Sequence, residues 1–197
     1  MIAEDQAMVR QALVALLGLE PDIEVVAQAA TGDEALAMAA KHQPDVAVLD
    51  IEMPGPSGID VARQLRQDHF GGQVVIVTTF GRPGYLRAAM AAGASGFLLK
   101  DAPAVQLAQA IRRVAAGERV VDPALAAAAL AEGESPLTVR ETDVLGAAAG
   151  HDAISEIASR LHLSPGTVRN HLSAAMQKLG ARNRAEAVQM AQRKGWL

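Results

Sequence analysis

The chain has 197 residues, half of them hydrophobic but only 3% aromatic, so its apolar mass is Ala, Leu, Val and Ile, enough for one large core or two small ones. It has no cysteine, which excludes disulfide frameworks, thiolate metal sites and thiol catalysis, and its net charge of −4, taken as one number, argues against a nucleic-acid partner. No apolar run reaches the roughly 18 residues of a spanning helix, and Glu4 and Asp5 stand where a signal peptide would be basic, so membrane insertion is not expected and a cytoplasmic location is.

Strands are expected near residues 1–4, 23–28, 45–49, 73–78 and 95–99, alternating with helices near 6–18, 32–42, 58–68, 84–93 and 103–116. The runs VAVL at 46–49 and VVIV at 74–77 are continuous and apolar, as strands buried on both faces are. Helical spacing shows in Val9, Ala12, Leu13, Leu16 and Leu17. It shows again in Ala104, Leu107, Ala108, Ile111, Val114 and Ala115, which leave Gln106, Gln109, Arg112 and Arg113 outside. Strict alternation implies an α/β domain over 1–116, with a five-stranded, doubly wound parallel sheet. In such sheets, chemistry gathers where loops leave the carboxyl ends of the strands. Those ends carry Glu4 and Asp5, Asp50, Thr78 and Lys100. Clustered carboxylates need a cation, and an oxygen-only set that leaves room for water and phosphate suits Mg²⁺. A nearby lysine supplies a point charge for phosphate oxygens, so the chemistry read here is phosphoryl transfer to a carboxylate.

Residues 117–136 read as a linker. Asp122 and Pro123 make an N-cap and first helical residue, so a short helix is expected near 123–131, followed by a flexible joint. From 137 to 197 the periods are purely helical. A helix near 153–161 buries Ile154, Ile157, Ala158 and Leu161, with Asp152 as its expected cap. His162, Leu163 and Ser164 turn the chain into a second helix that starts at Pro165. The apolar stripe of that helix is Val168, Leu172, Ala175, Met176 and Leu179, and its other face carries Arg169, Asn170, Ser173 and Gln177. This is a helix-turn-helix, a shape that can place its second helix in the DNA major groove. Charge resolved along the chain agrees: 1–116, 117–136 and 137–197 carry −4, −3 and +3. The basic segment is therefore the candidate for a polyanion.

The first segment resembles the receiver domain of bacterial two-component response regulators. The resemblance rests on Glu4-Asp5, on VAVLDIEMPGPSGID around Asp50, on VVIVTTF with Thr78 and on GASGFLLKD with Lys100, the last two residues lying 28 and 50 positions past Asp50. It implies a flavodoxin-like sheet of order 2-1-3-4-5. It also implies Asp50 as phosphoacceptor for a sensor histidine kinase, with Mg²⁺ held by Glu4, Asp5, Asp50 and the backbone carbonyl of Glu52. Lys100 and Thr78 would contact the phosphoryl group, and Phe97 would be the aromatic that turns inward when the threonine moves. Family members carry more apolar residues before the acidic pair than Met1-Ile2-Ala3, so the first strand is expected to be short and the native start to lie upstream of Met1.

The last segment, PLTVRETDVL with EIASRLHLSPGTVRNHLSAAMQKLGARNRAEAV, resembles the four-helix LuxR-type DNA-binding domain. Together the two resemblances imply a NarL/FixJ-class transcription regulator. Phosphorylation would favour a homodimer, through the helices near 6–18 and 103–116 or through the face near 84–116. The dimer would bind a double-stranded promoter with paired half-sites, in reach of RNA polymerase. Arg169, Asn170 and Ser173 match the base-contacting positions, and Thr167, His171, Lys178 and Arg182 are the expected phosphate contacts. Ser173 and Ser155 stand where lysine is common, and GHDAISEIA is one residue longer than the usual spacing. Within the class, TTFGRPGYLRAAMAAGASGFLLKD, GTVRN and the terminal KGW resemble cold-responsive regulators of membrane-lipid desaturation. From the residues alone, a Mg²⁺-dependent α/β phosphatase or a ligand-sensing domain fused to a DNA-binding module is the alternative to this non-enzymatic reading.

Overall fold

Five consecutive buried residues, Val46 to Asp50, form the strand around which the first half of the chain is built, packed on both faces as parallel strands are. The structure is a computed structural model that describes residues 1–79, 81–131, 135–150 and 152–197. The chain divides into two compact units, the first Met1–Gly81 with Leu86–Ala127, the second Arg82–Tyr85 with Ala128–Leu197.

In the first unit β1 (Ile2–Ala3), β2 (Gln28–Ala29), β3 (Val46–Asp50), β4 (Gln73–Thr78), β5 (Gly96–Leu99) and β6 (Val120–Val121) form one parallel sheet in the order β2-β1-β3-β4-β5-β6. They are joined through α1 (Ala7–Leu17), α2 (Gly32–His42), α3 (Gly58–Gln67), α4 (Pro83–Ala92) and α5 (Ala104–Ala115). The expected order 2-1-3-4-5 is present, but the sheet has a sixth strand inside the segment read as linker. There Gly117 turns the chain at φ +85, and the Val120 amide donates to the Ser95 carbonyl at 2.9 Å. Two β-branched residues before Asp122-Pro123 are too short for a periodic signal, and their partner strand is distant in sequence. β2 is also displaced from the expected 23–28: pairing is confined to Gln28 and Ala29, while Ile23 and Val25 pack on the core instead.

Along the strands, side chains alternate between two cores. Ile2, Val46, Val48, Val75, Val77 and Leu98 meet Leu107, Ala108, Ile111 and Val114 of α5, with Leu13, Val14 and Leu17 of α1 beside them. After the sheet, α6 (Pro123–Ala131) begins as expected, with the Asp122 carboxylate accepting the Leu125 amide at 2.9 Å. The joint expected next falls in part on 132–134, outside the described residues.

The second unit holds α7 (Val139–Ala147), a 3₁₀ turn (Ala148–Gly150), α8 (Ile154–Arg160), α9 (Pro165–Leu179) and α10 (Arg184–Lys194). Val144, Leu145, Ile157, Val168, Leu172 and Ala175 are the centre of its core. The α9 start follows the expectation: Ser164 Oγ accepts the Thr167 amide at 3.1 Å and Pro165 occupies the first turn. The α8 start does not. Ala153 takes the extended cap conformation and donates its amide to Glu156 at 2.7 Å, while Asp152 pairs with Arg160 at 2.8 Å. Asp152 is therefore drawn off by a basic partner in the last turn of the same helix. The stretch GHDAISEIA, read as one residue longer than usual, includes His151, which is outside the described residues. Between α8 and α9, His162 adopts φ +54 and the Leu163 amide reaches back to the Ala158 carbonyl at 2.9 Å. This closes α8 sharply enough for α9 to cross it.

Candidate functional site

Sheet register builds the first site. Ala3 lies opposite Leu49, Asp50 opposite Val77 and Thr78 opposite Leu99, so one step past Ala3 puts Glu4 beside Asp50. The Lys100 amide then donates to the Thr78 carbonyl at 2.8 Å, which ties the lysine to the end of β4. Lys100 Nζ lies 2.6 Å from Glu4 Oε2 and 2.9 Å from Asp50 Oδ2. Glu4 and Asp50 are 1% and 4% exposed, whereas Asp5 faces solvent. Burial pushes the Glu4 carboxyl above its ordinary value, with the Asp50 charge adding to the rise and Lys100 opposing it. Burial alone would lower Lys100, but the two carboxylates outweigh it and hold the ammonium above its ordinary value.

One oxygen each from Glu4, Asp5 and Asp50 lies within 4.8 Å of the others. That is close to the span of oxygens around an octahedral Mg²⁺, each about 2.1 Å from the ion, so the donor set fits this cation. Glu52 is exposed in the loop after Asp50, Thr78 is 1% exposed at the end of β4, and Phe97 is fully buried in β5.

Two glycines shape the loop that follows Asp50. A Cβ on Gly58 would lie 2.0 Å from the Asp50 carbonyl oxygen, and one on Gly32 would lie 2.0 Å from that of Pro56. Both contacts are with backbone, so α3 and α2 approach the loop closer than any side chain allows. Gly58→Ala should therefore cost about 1–3 kcal/mol and shift the Asp50 backbone. Urea unfolding would read the loss, and weaker divalent-cation binding would accompany it.

Sequence reading missed Arg10, whose Nη1 donates to the Glu4 carbonyl at 2.5 Å and holds the turn between β1 and α1. Arg10 carries no motif beyond one basic residue on an apolar helix. The hydrogen bond is visible only in three dimensions.

The second site is the outer face of α9. Arg169, Asn170 and Ser173 are all exposed on it, opposite the buried Val168, Leu172, Ala175 and Leu179. Thr167 shares a hydrogen bond with Ser164 at 2.8 Å, and His171 is half-buried. Arg182 is 87% exposed and pairs with Glu186 at 3.2 Å, each moving the other toward its charged form. Lys178, expected at phosphate, gives its ammonium to the buried Glu141 at 2.7 Å. Arg184 was also missed. It donates to the Ala148 carbonyl at 2.6 Å and to that of Asp152 at 2.8 Å, fixing the α7–α8 connection to α10.

Residues 1–112 match the response regulator receiver domain family, and residues 135–191 match the luxR family of bacterial regulatory proteins. The uncharacterized transcriptional regulatory protein YvfU of Bacillus subtilis (strain 168) is 48% identical over 196 residues, covering 100% of this chain and 98% of YvfU. Transcriptional regulatory protein DesR of the same strain is 46% identical over 195 residues, covering 99% and 96%. Among solved structures, the response regulator ChrA of a heme-sensing two-component system is 34% identical, with a TM-score of 0.58 and coverage of 100% of this chain and 97% of ChrA. With both family matches spanning a receiver site and a helix-turn-helix, this chain belongs to the two-component response regulators with a LuxR-type DNA-binding domain, and is a transcription regulator.

Proposed function

We propose that Asp50 is the phosphoacceptor and that its phosphorylation by a sensor histidine kinase controls DNA binding by the second unit. The observation that carries this is Lys100 set between Glu4 and Asp50 at the carboxyl end of the sheet, with Asp5 beside them. In the transfer, an Asp50 carboxylate oxygen bonds to phosphorus, the phosphorus–nitrogen bond of the phosphohistidine breaks, and the leaving imidazole takes a proton. Glu4, Asp5, Asp50 and the Glu52 carbonyl would hold Mg²⁺, which neutralises charge on the phosphoryl oxygens when bound. Lys100 would give up its pairs to meet the new oxygens, and Thr78 would supply a hydroxyl donor. Phe97, on the neighbouring strand, would follow Thr78.

The division proposed is 1–116 for the receiver, 117–136 for the linker and 137–197 for DNA binding. Met8, Leu16, Leu19 and Val105 are exposed on or beside α1 and α5, which supports these helices as the face of a phosphorylation-dependent homodimer. Such a dimer presents two copies of α9 to half-sites about one helical turn apart. Arg169, Asn170 and Ser173 would read bases, while Thr167, His171 and Arg182 would fix register on phosphates. A cytoplasmic location and contact with RNA polymerase at the promoter follow from this role. The resemblance to regulators of lipid desaturation makes membrane-lipid genes the first promoters to test.

Incubation with a small acyl phosphate and Mg²⁺, followed by mass spectrometry and sedimentation, tests the proposal. One phosphoryl group on Asp50 with a doubled mass in solution supports it. Turnover of many phosphodonor equivalents without retained phosphate points to a phosphatase instead. At the DNA interface, Ser155 is exposed on α8 where a lysine would reach phosphate. Ser155→Lys should therefore tighten binding and steepen the salt dependence by about 0.9 per subunit, read from affinity over a range of salt.

A further inference from the structure

We infer that Glu141 and Lys178 are positioning residues that lock α7 to the C-terminal half of α9, and that Lys178 is not a DNA-phosphate contact. The two residues lie 37 positions apart in sequence, and Lys178 Nζ is 2.7 Å from Glu141 Oε2. Glu141 is held from two further directions. Its carboxylate accepts the Thr138 amide at 2.7 Å, and its own amide donates to Thr138 Oγ1 at 3.3 Å, a reciprocal cap at the start of α7. Its side chain is only 7% exposed, against 37% for Lys178. A carboxylate in that position depends on its cation, because removing the partner leaves a desolvated charge. Lys178 therefore cannot turn to a phosphate without abandoning a buried group.

The contrast with Arg182 sharpens the assignment. Arg182 is 87% exposed in an i,i+4 pair with Glu186, an arrangement that solvent screens and that a phosphate can replace at little cost. Lys178 also sits in the last turn of α9, just before Gly180 ends the helix, where a cation complements the helix dipole. It lies nine residues beyond Arg169, roughly 13 Å along the axis from the face proposed to read bases. The Lys178 ammonium, with the Thr138 amide, holds the Glu141 carboxyl below its ordinary value. Acting together, the capped start of α7 and the end of α9 are clasped, and the shared core of Val144, Leu145, Leu172 and Ala175 sets the angle between them.

This inference rests on α9 being the helix that meets DNA, so the experiment keeps the two questions apart. The full-length protein is bound to a mixed-sequence duplex of about three helical turns over a range of salt, as wild type, Lys178→Met, Glu141→Gln and the double variant that carries both changes. Circular dichroism follows the unfolding of each. The expected result is that Lys178→Met and Glu141→Gln lose affinity by similar factors, melt earlier, and keep the wild-type salt slope, while the double variant loses no more than Lys178→Met alone, because no buried charge is then left without its partner. The inference is overturned if Lys178→Met flattens the slope by about 0.9 per subunit while Glu141→Gln, which retains the lysine, binds as the wild type does. A wild-type slope near zero would instead remove the DNA-binding role of α9.

Discussion

Asp50→Asn should leave the protein folded and take away every response to a phosphodonor. Asn has nearly the same shape as Asp, so the close packing of Gly58 on the Asp50 carbonyl is undisturbed. Lys100 retains Glu4 at 2.6 Å, so its ammonium is not stranded. What the substitution removes is one of three carboxylates that share a space 4.8 Å across, and with it the oxygen proposed as the phosphoacceptor. Relief of like-charge repulsion makes the variant equal to or more stable than the wild type in cation-free buffer, by about 0–1 kcal/mol.

The same change weakens divalent-cation binding by about tenfold or more, because hard cations are held chiefly by carboxylate charge. Calorimetric titration with Mg²⁺ separates this loss from the loss of phosphorylation. After acyl phosphate treatment, the wild type gains a group of about −1.5 to −2 charge and the variant gains none. The wild type should shift in sedimentation and in DNA affinity, and the variant should keep its untreated values in both. Retained phosphate on Asp50→Asn would place the acceptor elsewhere, with Asp5, which faces solvent in the same cluster, the first to test.

The receiver site was legible because its residues end strands, and strand ends can be read from apolar runs. Asp50 closes VAVL and Lys100 follows GFLL, so the parallel alternation alone puts both at one edge. What could not be read is held by partners distant in sequence. β6 exists because Val120 finds Ser95 across the sheet edge, and two residues have no period of their own. The Lys178 pair with Glu141 spans 37 positions, and the Arg184 bond to Ala148 spans 36. On an exposed helical position, lysine for phosphate and lysine for a buried carboxylate read alike in sequence. The Asp152 cap failed for a related reason: Arg160, two helical turns on, competes for the same carboxylate.

Arg169→Ala should abolish promoter discrimination at one base pair in each half-site while leaving the second unit folded. Arg169 is exposed and lies outside the core of the second unit among the described residues, and Val168 beside it carries the packing at 0% exposure. Truncating the arginine therefore removes a donor fork without opening a cavity. An arginine bidentate to guanine contributes about 1–3 kcal/mol of discrimination, and a symmetric dimer makes the contact twice. The specific site should then lose about 2–6 kcal/mol, roughly 30-fold to 2 × 10⁴-fold, whereas mixed-sequence DNA loses much less. Asn170→Ala should act likewise at an adenine, and Ser173→Ala, lacking a bidentate group, less than either. A site selected from random duplexes by the phosphorylated wild type supplies the specific probe, and single base-pair changes in it locate the lost contact. If Arg169→Ala weakened specific and mixed-sequence DNA equally and flattened the salt slope by about 0.9 per subunit, Arg169 would be a phosphate contact. The reading of sequence would then have to be carried by other residues on the exposed face of α9.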